Sequence, residues 1–408
     1  MNYQHDLLKQ VNYLQQCLSN DKRPLGFFIG AGCPMSIKDK SRENDPPLIP
    51  DIMGITNLVC DELAKCEECA AALKKVQEHF TKDGREECTV ENILSHIRAL
   101  RSVAGNELVR DLCAKELDVL DKKICDMIQA VVEKELPNTL TPYHRLALWV
   151  DAVQREKPVE LFTTNYDLLM EQALEECQVP YFDGFSGTRR PFFDIRAIEE
   201  DLLPLRWARL WKLHGSTNWY QVDNVKGVFR GTNGHSGGTR RVIHPSHLKY
   251  EESRRMPFLA MIDRFRAFLK QSSVALIVCG YSFKDEHINE IMVQGLQSNQ
   301  TSMAFALLFG SLDAYKDAVK LACGRSNLTL LARDGAIVNG QKIFWAENES
   351  TEVSQGTTRW IKWTPVDPAV KEGKLKAEIT LGDFAELGDF LHELIGPLRQ
   401  GTEANNVK

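Results

Sequence analysis

The stretch Leu25-Gly26-Phe27-Phe28-Ile29-Gly30-Ala31-Gly32 is a short apolar run that stops at Gly-Ala-Gly. An apolar run of that length, closed by glycines, reads as a strand buried on both faces and followed by a tight turn. Glycines after a strand let the backbone approach a pyrophosphate, whose charge the following amides hold. The spacing is not the full G-x-G-x-x-G, so a turn that simply needs glycine explains it as well.

Working outward, Leu7, Val11, Leu14 and Leu18 repeat at helical spacing before this strand. Residues 38–51 carry Pro46, Pro47 and Pro50 and read as a loop. Residues 56–150 hold helical stripes, among them Val90, Ile93, Leu94, Ile97 and Leu100, then Leu120, Ile124, Met127, Ile128 and Val131, with no convincing strand. From residue 158 strands and helices alternate. Val159–Thr163, Arg209–Leu213, Val274–Cys279, Met303–Phe309 and Leu328–Leu331 read as buried strands; Phe258, Met261, Ile262, Phe265 and Phe268 form a helical stripe.

That alternation predicts an α/β fold: a Rossmann-like parallel sheet with helices on both faces, which binds ligands at the carboxyl ends of its strands. The expected division is a Rossmann domain from 1–55 and 151–347, an inserted helical subdomain at 56–150 and a small C-terminal appendage at 348–408. The appendage shows a strand pattern around Trp360–Trp363 and a helical stripe of Phe384, Leu387, Phe390, Leu391 and Leu394. Residues 231–240 hold four glycines and read as a surface loop.

Composition sets the outer limits. The chain has 408 residues, 43% hydrophobic and 26% charged, with a net charge of −6. This excludes a coiled-coil rod, a wholly disordered chain and a surface built entirely for nucleic acid. No apolar run reaches the roughly 20 residues of a membrane span. No basic start followed by an apolar stretch opens the chain, which predicts a cytoplasmic protein without an export signal. Eleven cysteines, an odd number, scatter through the sequence and read as reduced thiols.

Three further segments sit at strand ends. Thr163-Thr164-Asn165-Tyr166-Asp167 places an amide and a carboxylate where a helix begins; they suit a ligand's hydroxyl and amide, or simply cap the helix. Leu213-His214-Gly215-Ser216 offers an imidazole able to take a proton near neutral pH, or a satisfied structural histidine. Cys279-Gly280-Tyr281-Ser282-Phe283-Lys284-Asp285 offers a sharp turn and a hydroxyl, with Asp285 expected to cap the next helix.

Taken in order, Gly-Ala-Gly, Thr-x-Asn-x-Asp, His-Gly and Gly-x-Ser-x-x-Asp resemble the sirtuin superfamily across about residues 25–290. Within it the chain resembles the bacterial antiphage-defence branch, in Thr-Thr-Asn-Tyr-Asp, in Gly-Tyr-Ser-Phe and in Pro245–Tyr250. The resemblance implies an NAD-binding fold that breaks the nicotinamide–ribose bond, with NAD as substrate. It places Gly30, Ala31 and Gly32 against the phosphates, Asn165 on the nicotinamide ribose and attacking water, and Asp167 on the carboxamide. It makes His214 the general base and puts Gly280 and Ser282 on the adenosine side, with Thr164 beside Asn165.

Two departures from the deacylases stand out. Their serine after Gly-Ala-Gly is replaced by Pro34, leaving Ser36 as the nearest hydroxyl. Their zinc ribbon has no counterpart, since residues 216–278 contain no cysteine, and Cys66-Glu67-Glu68-Cys69 stands without a second pair. No metal is therefore expected, and His244 with His247 makes an incomplete ligand set. The missing ribbon tilts the reading toward water as nucleophile, hence an NAD glycohydrolase. A deacylase, a non-catalytic nucleotide-binding scaffold and, less readily, a nuclease using the arginine pairs 189–190, 240–241 and 254–255 are the competing readings. The segment Phe28–Pro34 resembles sirtuin-like proteins that work beside a HerA-type ring ATPase, which implies that partner and a homo-oligomer; nucleic acid stays open.

Overall fold

The computed structural model describes residues 4–396 apart from 6, 41–43, 85–87, 222–226, 232–238, 243–255, 346, 349–358 and 366–374. Most of the glycine-rich loop, His244, His247, Pro245–Tyr250 and the Arg254–Arg255 pair lie outside the described residues.

Six parallel strands form the centre of the main sheet. In chain order they are Leu25–Ile29, Glu160–Thr163, Ala208–Lys212, Ala275–Cys279, Met303–Leu308 and Leu328–Ala332. In space they run third, second, first, fourth, fifth, sixth, the doubly wound order in which the chain reverses direction beside its first strand. The sheet class matches the expectation from sequence. Its rim does not: Gly335–Val338 and Gln341–Trp345 add an antiparallel extension, and Tyr181–Phe182 pairs parallel at the other edge. These rim strands are short or half-exposed, so no apolar run marks them.

The strands are mostly apolar because both faces are covered, with Glu160, Arg209 and Lys212 as buried charged exceptions. Along Leu25–Ile29, Phe27 and Ile29 enter one core and Phe28 the other; Leu161 and Phe162, then Leu210 and Trp211, divide the same way. One face packs on the opening helix Leu7–Ser19 and on five helices: Ile52–Lys65, Glu67–Lys82, Val90–Ala104, Ala114–Val132 and Pro142–Ala152. Asp51 and Thr89 start two of these by accepting from the amides of Gly54 and Asn92. The other face packs on Phe258–Lys270 and Glu286–Ser298, with Phe28, Phe162, Phe265 and Phe268 stacked between helix and sheet.

A second, antiparallel sheet of short strands spans Phe185 to Val242, and its strand Gly215–Gln221 leaves directly from His214. The C-terminal strands form their own three-stranded sheet, and the helix Phe384–Leu394 lies on Pro142–Ala152. There Phe384 meets Tyr143 edge-on at 5.0 Å and Asp389 pairs with Arg145 at 2.6 Å.

The point of reversal lies between Leu25–Ile29 and Ala275–Cys279. The Gly30 amide donates to the Cys279 carbonyl (2.9 Å), and the Gly32 amide to the Gly280 carbonyl (2.8 Å). A Cβ on Gly30 would fall 2.3 Å from the Gly280 oxygen. Gly280 has φ +66°, and its Cβ would fall 2.6 Å from the Cys33 amide and sulfur. These glycines are thus required by the contact between two loops, whatever ligand they meet. Gly280→Ala is expected to cost stability, about 1–3 kcal/mol from the left-handed backbone alone; chemical denaturation of the variant measures it.

Candidate functional site

The loops after four neighbouring strands meet above the carboxyl edge of the sheet. Asn165 follows Glu160–Thr163, and His214 follows Ala208–Lys212; each lies two residues past the paired positions Thr163 and Lys212. The turn before Asn165 is fixed from the sheet. Thr163 Oγ1 donates to the Ile29 carbonyl (2.7 Å) and accepts from the Asn165 amide (2.9 Å). Asn165 Nδ2 donates to the Gly30 carbonyl at 3.2 Å, which ties the second motif to the first. Its Oδ1 is buried and finds no partner among the described residues.

Ser216 Oγ and Thr217 Oγ1, just beyond His214, are also buried and unpartnered among the described residues, while the Thr217 amide donates to the Tyr166 carbonyl. Buried polar groups without partners are rare and cost about 1–3 kcal/mol each. Their gathering at the carboxyl edge fits a polar ligand there.

His214 is 8% exposed, and its Nε2 lies 3.1 Å from Asp285 Oδ2. Asp285 caps the helix Glu286–Ser298 as expected, its Oδ1 accepting from the Ile288 amide at 3.3 Å. The pairing with His214 was not legible in the motif. Tyr281 and Asn289 brace the same loop: the Tyr281 hydroxyl lies 2.9 Å from Asn289 Oδ1, and Asn289 Nδ2 donates to the carbonyl of Phe283, which sits at φ +60°.

Asp167 is buried, and its Oδ1 accepts from the Leu169 amide at 3.1 Å. Burial pushes its carboxyl up to about 6; Lys212 and the Leu169 amide pull it back, and Glu171 adds to the rise. Lys212, 2% exposed, donates to the Asp167 carbonyl and pairs with Glu171 at 2.8 Å. Lysine and glutamate within a buried strand and a buried helix face were the overlooked signal.

Because the folded-state value of Asp167 lies above the unfolded one, its contribution to stability is full below about pH 4 and is lost as the pH rises through about 6. Asp167→Asn keeps the acceptor for Leu169 and removes the titration. Its stability relative to wild type is expected to climb between pH 4 and 7 by about 2–3 kcal/mol and then level off. Thermal unfolding across that range checks it.

The remaining positions sit less centrally. Ser36 spends its hydroxyl on the Cys33 carbonyl at 2.8 Å, inside its own short turn. Thr164 and Gly280 are half-buried, and Ala31 and Ser282 are exposed at the edge. Tyr143, delivered by the helix Pro142–Ala152, is a residue the sequence did not mark. Its hydroxyl is buried without a partner among the described residues; burial raises its pKa, and the charges of Asp167, Cys33 and Cys279 raise it further.

Among the described residues no three His, Cys, Asp or Glu side chains gather to hold a metal ion. Cys66 and Cys69 sit at the start of the helix Glu67–Lys82, with Cys66 as its N-cap. No helix among the described residues is long and apolar enough to cross a membrane.

The SIR2-like domain family matches residues 159–324. That span holds the second, third and fourth motifs; Gly30–Gly32 lies before it, separated by the helical segment. No curated protein matches the chain. Among solved structures, one addressing the mechanism and regulation of Sir2 enzymes is 12% identical, covering 72% of this chain and 84% of that one, with a TM-score of 0.35. A Sir2 homologue in complex with ADP-ribose is 13% identical over 72% and 83% (TM-score 0.33). A structure on sirtuin substrate affinity is 13% identical over 75% and 89% (TM-score 0.35).

Proposed function

We propose that this chain is a sirtuin-like NAD glycohydrolase, which uses water to break the nicotinamide–ribose bond and releases nicotinamide and ADP-ribose. The observation that carries the reading is Asn165, anchored through Nδ2 to the glycine turn while Oδ1 stays buried without a partner among the described residues. The family match to the span holding Asn165, Asp167 and His214 supports it.

The chemistry asks little of the protein. Nicotinamide leaves readily because its ring nitrogen is cationic, and the ribose passes through an oxocarbenium-like state. Asn165 aligns the ribose and the water, His214 takes the proton that the water releases, and Asp167 holds the carboxamide. Gly30, Ala31 and Gly32 face the phosphates, with Thr164 and Ser36 beside them; Gly280 and Ser282 border the adenosine. Burial of Asn165, Asp167 and His214 keeps bulk water from the reacting bond.

In the cell the proposed role is NAD depletion during phage infection by a cytoplasmic enzyme. An ungated NADase would harm its host, so the activity is held in a homo-oligomer with a HerA-type ring ATPase, docked through the helical subdomain at 56–150 or the appendage at 348–408. The test is incubation with NAD, alone and with that ATPase, reading products by chromatography. Nicotinamide and ADP-ribose in equal amounts support the proposal. Turnover only with an acetyl-lysine peptide would make the chain a deacylase, and tight binding without turnover would make it a scaffold.

A further inference from the structure

We propose that Cys66 and Cys69, in the helical segment, are a reversible dithiol–disulfide pair, in which Cys66 attacks a small-molecule disulfide and Cys69 resolves the product. Nothing in this redox site depends on the NAD-cleaving reading.

The two cysteines stand at a corner between helices. Cys66 ends Ile52–Lys65, its amide donating to the Leu63 carbonyl at 3.1 Å, and it is also the N-cap of Glu67–Lys82. Its carbonyl accepts from the amides of Cys69 (3.0 Å) and Ala70 (2.9 Å), which closes the first turn of the second helix. An N-cap residue has extended backbone, here φ −86° and ψ 110°, which aims its side chain over the amides two and three residues on. Those amides belong to Glu68 and Cys69. Residues three apart on a helix are about 5–6 Å apart at Cβ, and a disulfide takes roughly 3.5–4.5 Å, so the bond needs only a small turn of the corner.

Exposure gives the two thiols different work. Cys66 is half-buried and open to solvent on one side, while Cys69 is 1% exposed in the core. The Cys66 sulfur is not tied down by a full capping hydrogen bond. The Cys69 thiol, the Cys69 and Glu68 amides and the Lys123 charge nevertheless lower its pKa. Burial first, then the neighbouring Cys66 sulfur, pushes Cys69 up to about 11. Elsewhere in the same helical segment burial pushes Cys60 up to about 11 and Cys125 up to about 12. An accessible thiolate at a helix start, backed by a protonated thiol, is the arrangement that thiol–disulfide exchange uses. A metal asks for more ligands, and among the described residues no third His, Cys, Asp or Glu joins the pair.

The exchange balances with a disulfide such as oxidised glutathione as the oxidant. The Cys66 thiolate attacks one sulfur of it, a Cys66–glutathione bond forms, and the first glutathione leaves as a thiolate. The Cys69 thiol then gives up its proton and attacks the Cys66 sulfur, and the second glutathione leaves. Two protein thiols are oxidised to one disulfide, one glutathione disulfide is reduced to two thiols, and the two protons pass from the cysteines to the glutathiones.

The test places the full chain in a glutathione redox buffer, alkylates the free thiols and digests with trypsin. Both cysteines fall in one peptide, Cys66–Lys74, which mass spectrometry reads apart from the other cysteines. In wild type that peptide should lose both alkylatable thiols as an internal disulfide, and dithiothreitol should restore them. In the reduced chain Cys66 should alkylate before Cys69. Cys69→Ala, which suits apolar surroundings, should keep glutathione on Cys66. Cys66→Ser, which keeps an N-cap, should leave Cys69 reduced. Circular dichroism confirms that each variant is folded, and the wild-type peptide decides the matter even if one is not. A wild-type peptide that stays fully alkylated, one that stops at the glutathione adduct, or a Cys69 that reacts in folded Cys66→Ser would each overturn the proposal.

Discussion

Asn165→Ala is expected to lose NAD cleavage by about 10²-fold or more in single turnover, because misplacing the reacting atoms by about 1 Å already costs that much. The fold should survive. Among the described residues the side chain makes one hydrogen bond, to the Gly30 carbonyl, worth about 1 kcal/mol. Its removal also takes away a buried oxygen with no partner among the described residues, which offsets part of that loss. His214→Ala removes the proposed proton acceptor and should cost about 10²–10⁴-fold. Circular dichroism and sizing on both variants separate lost chemistry from lost structure. Wild-type turnover by folded Asn165→Ala would overturn the sirtuin-like mechanism, and the same result for His214→Ala would overturn the base assignment.

Lys212→Met should unfold the protein more readily than any other substitution discussed. Lys212 lies in the buried strand Ala208–Lys212 and compensates Glu171, whose side chain is 11% exposed. Removing one member of a buried ion pair costs about 3–5 kcal/mol, because the other charge is left without compensation. It also strips the Asp167 carbonyl of its donor. Urea denaturation measures the loss, and adding Glu171→Gln should return part of it. A Lys212→Met protein as stable as wild type would show that the pair is neutral to folding. The same charges bear on the candidate site, since Lys212 restrains the rise that burial imposes on the Asp167 carboxyl.

The helical segment and the C-terminal tail have a place in this site that their sequences did not suggest. Tyr143 opens the helix Pro142–Ala152, and its buried hydroxyl lies within the electrostatic reach of Asp167, Cys33 and Cys279. Phe384 covers the Tyr143 ring, and Gly382 packs against the Leu308 carbonyl at the end of a central strand. The tail is therefore joined to the carboxyl edge of the sheet.

By itself the sequence determined the order of helices and central strands, and with them the sheet class. Buried parallel strands such as Leu25–Ile29 and Ala275–Cys279 are apolar on both faces, and amphipathic helices such as Phe258–Lys270 repeat every three to four residues; both signals are local. It also showed Asn165 and His214 at strand ends and Asp285 at a helix start, because strand ends and caps are local too. Tertiary structure alone decided which of these residues meet. The His214–Asp285 contact depends on the spatial order of strands from separate parts of the chain, and no local pattern records that order. The close approach of Gly30 to Gly280 and the burial of Lys212 against Glu171 have the same origin. The second sheet stayed hidden because strands as short as Phe185–Ser186 and Phe192–Phe193 are too brief to show a period of two, and they exist only where partner strands supply their hydrogen bonds.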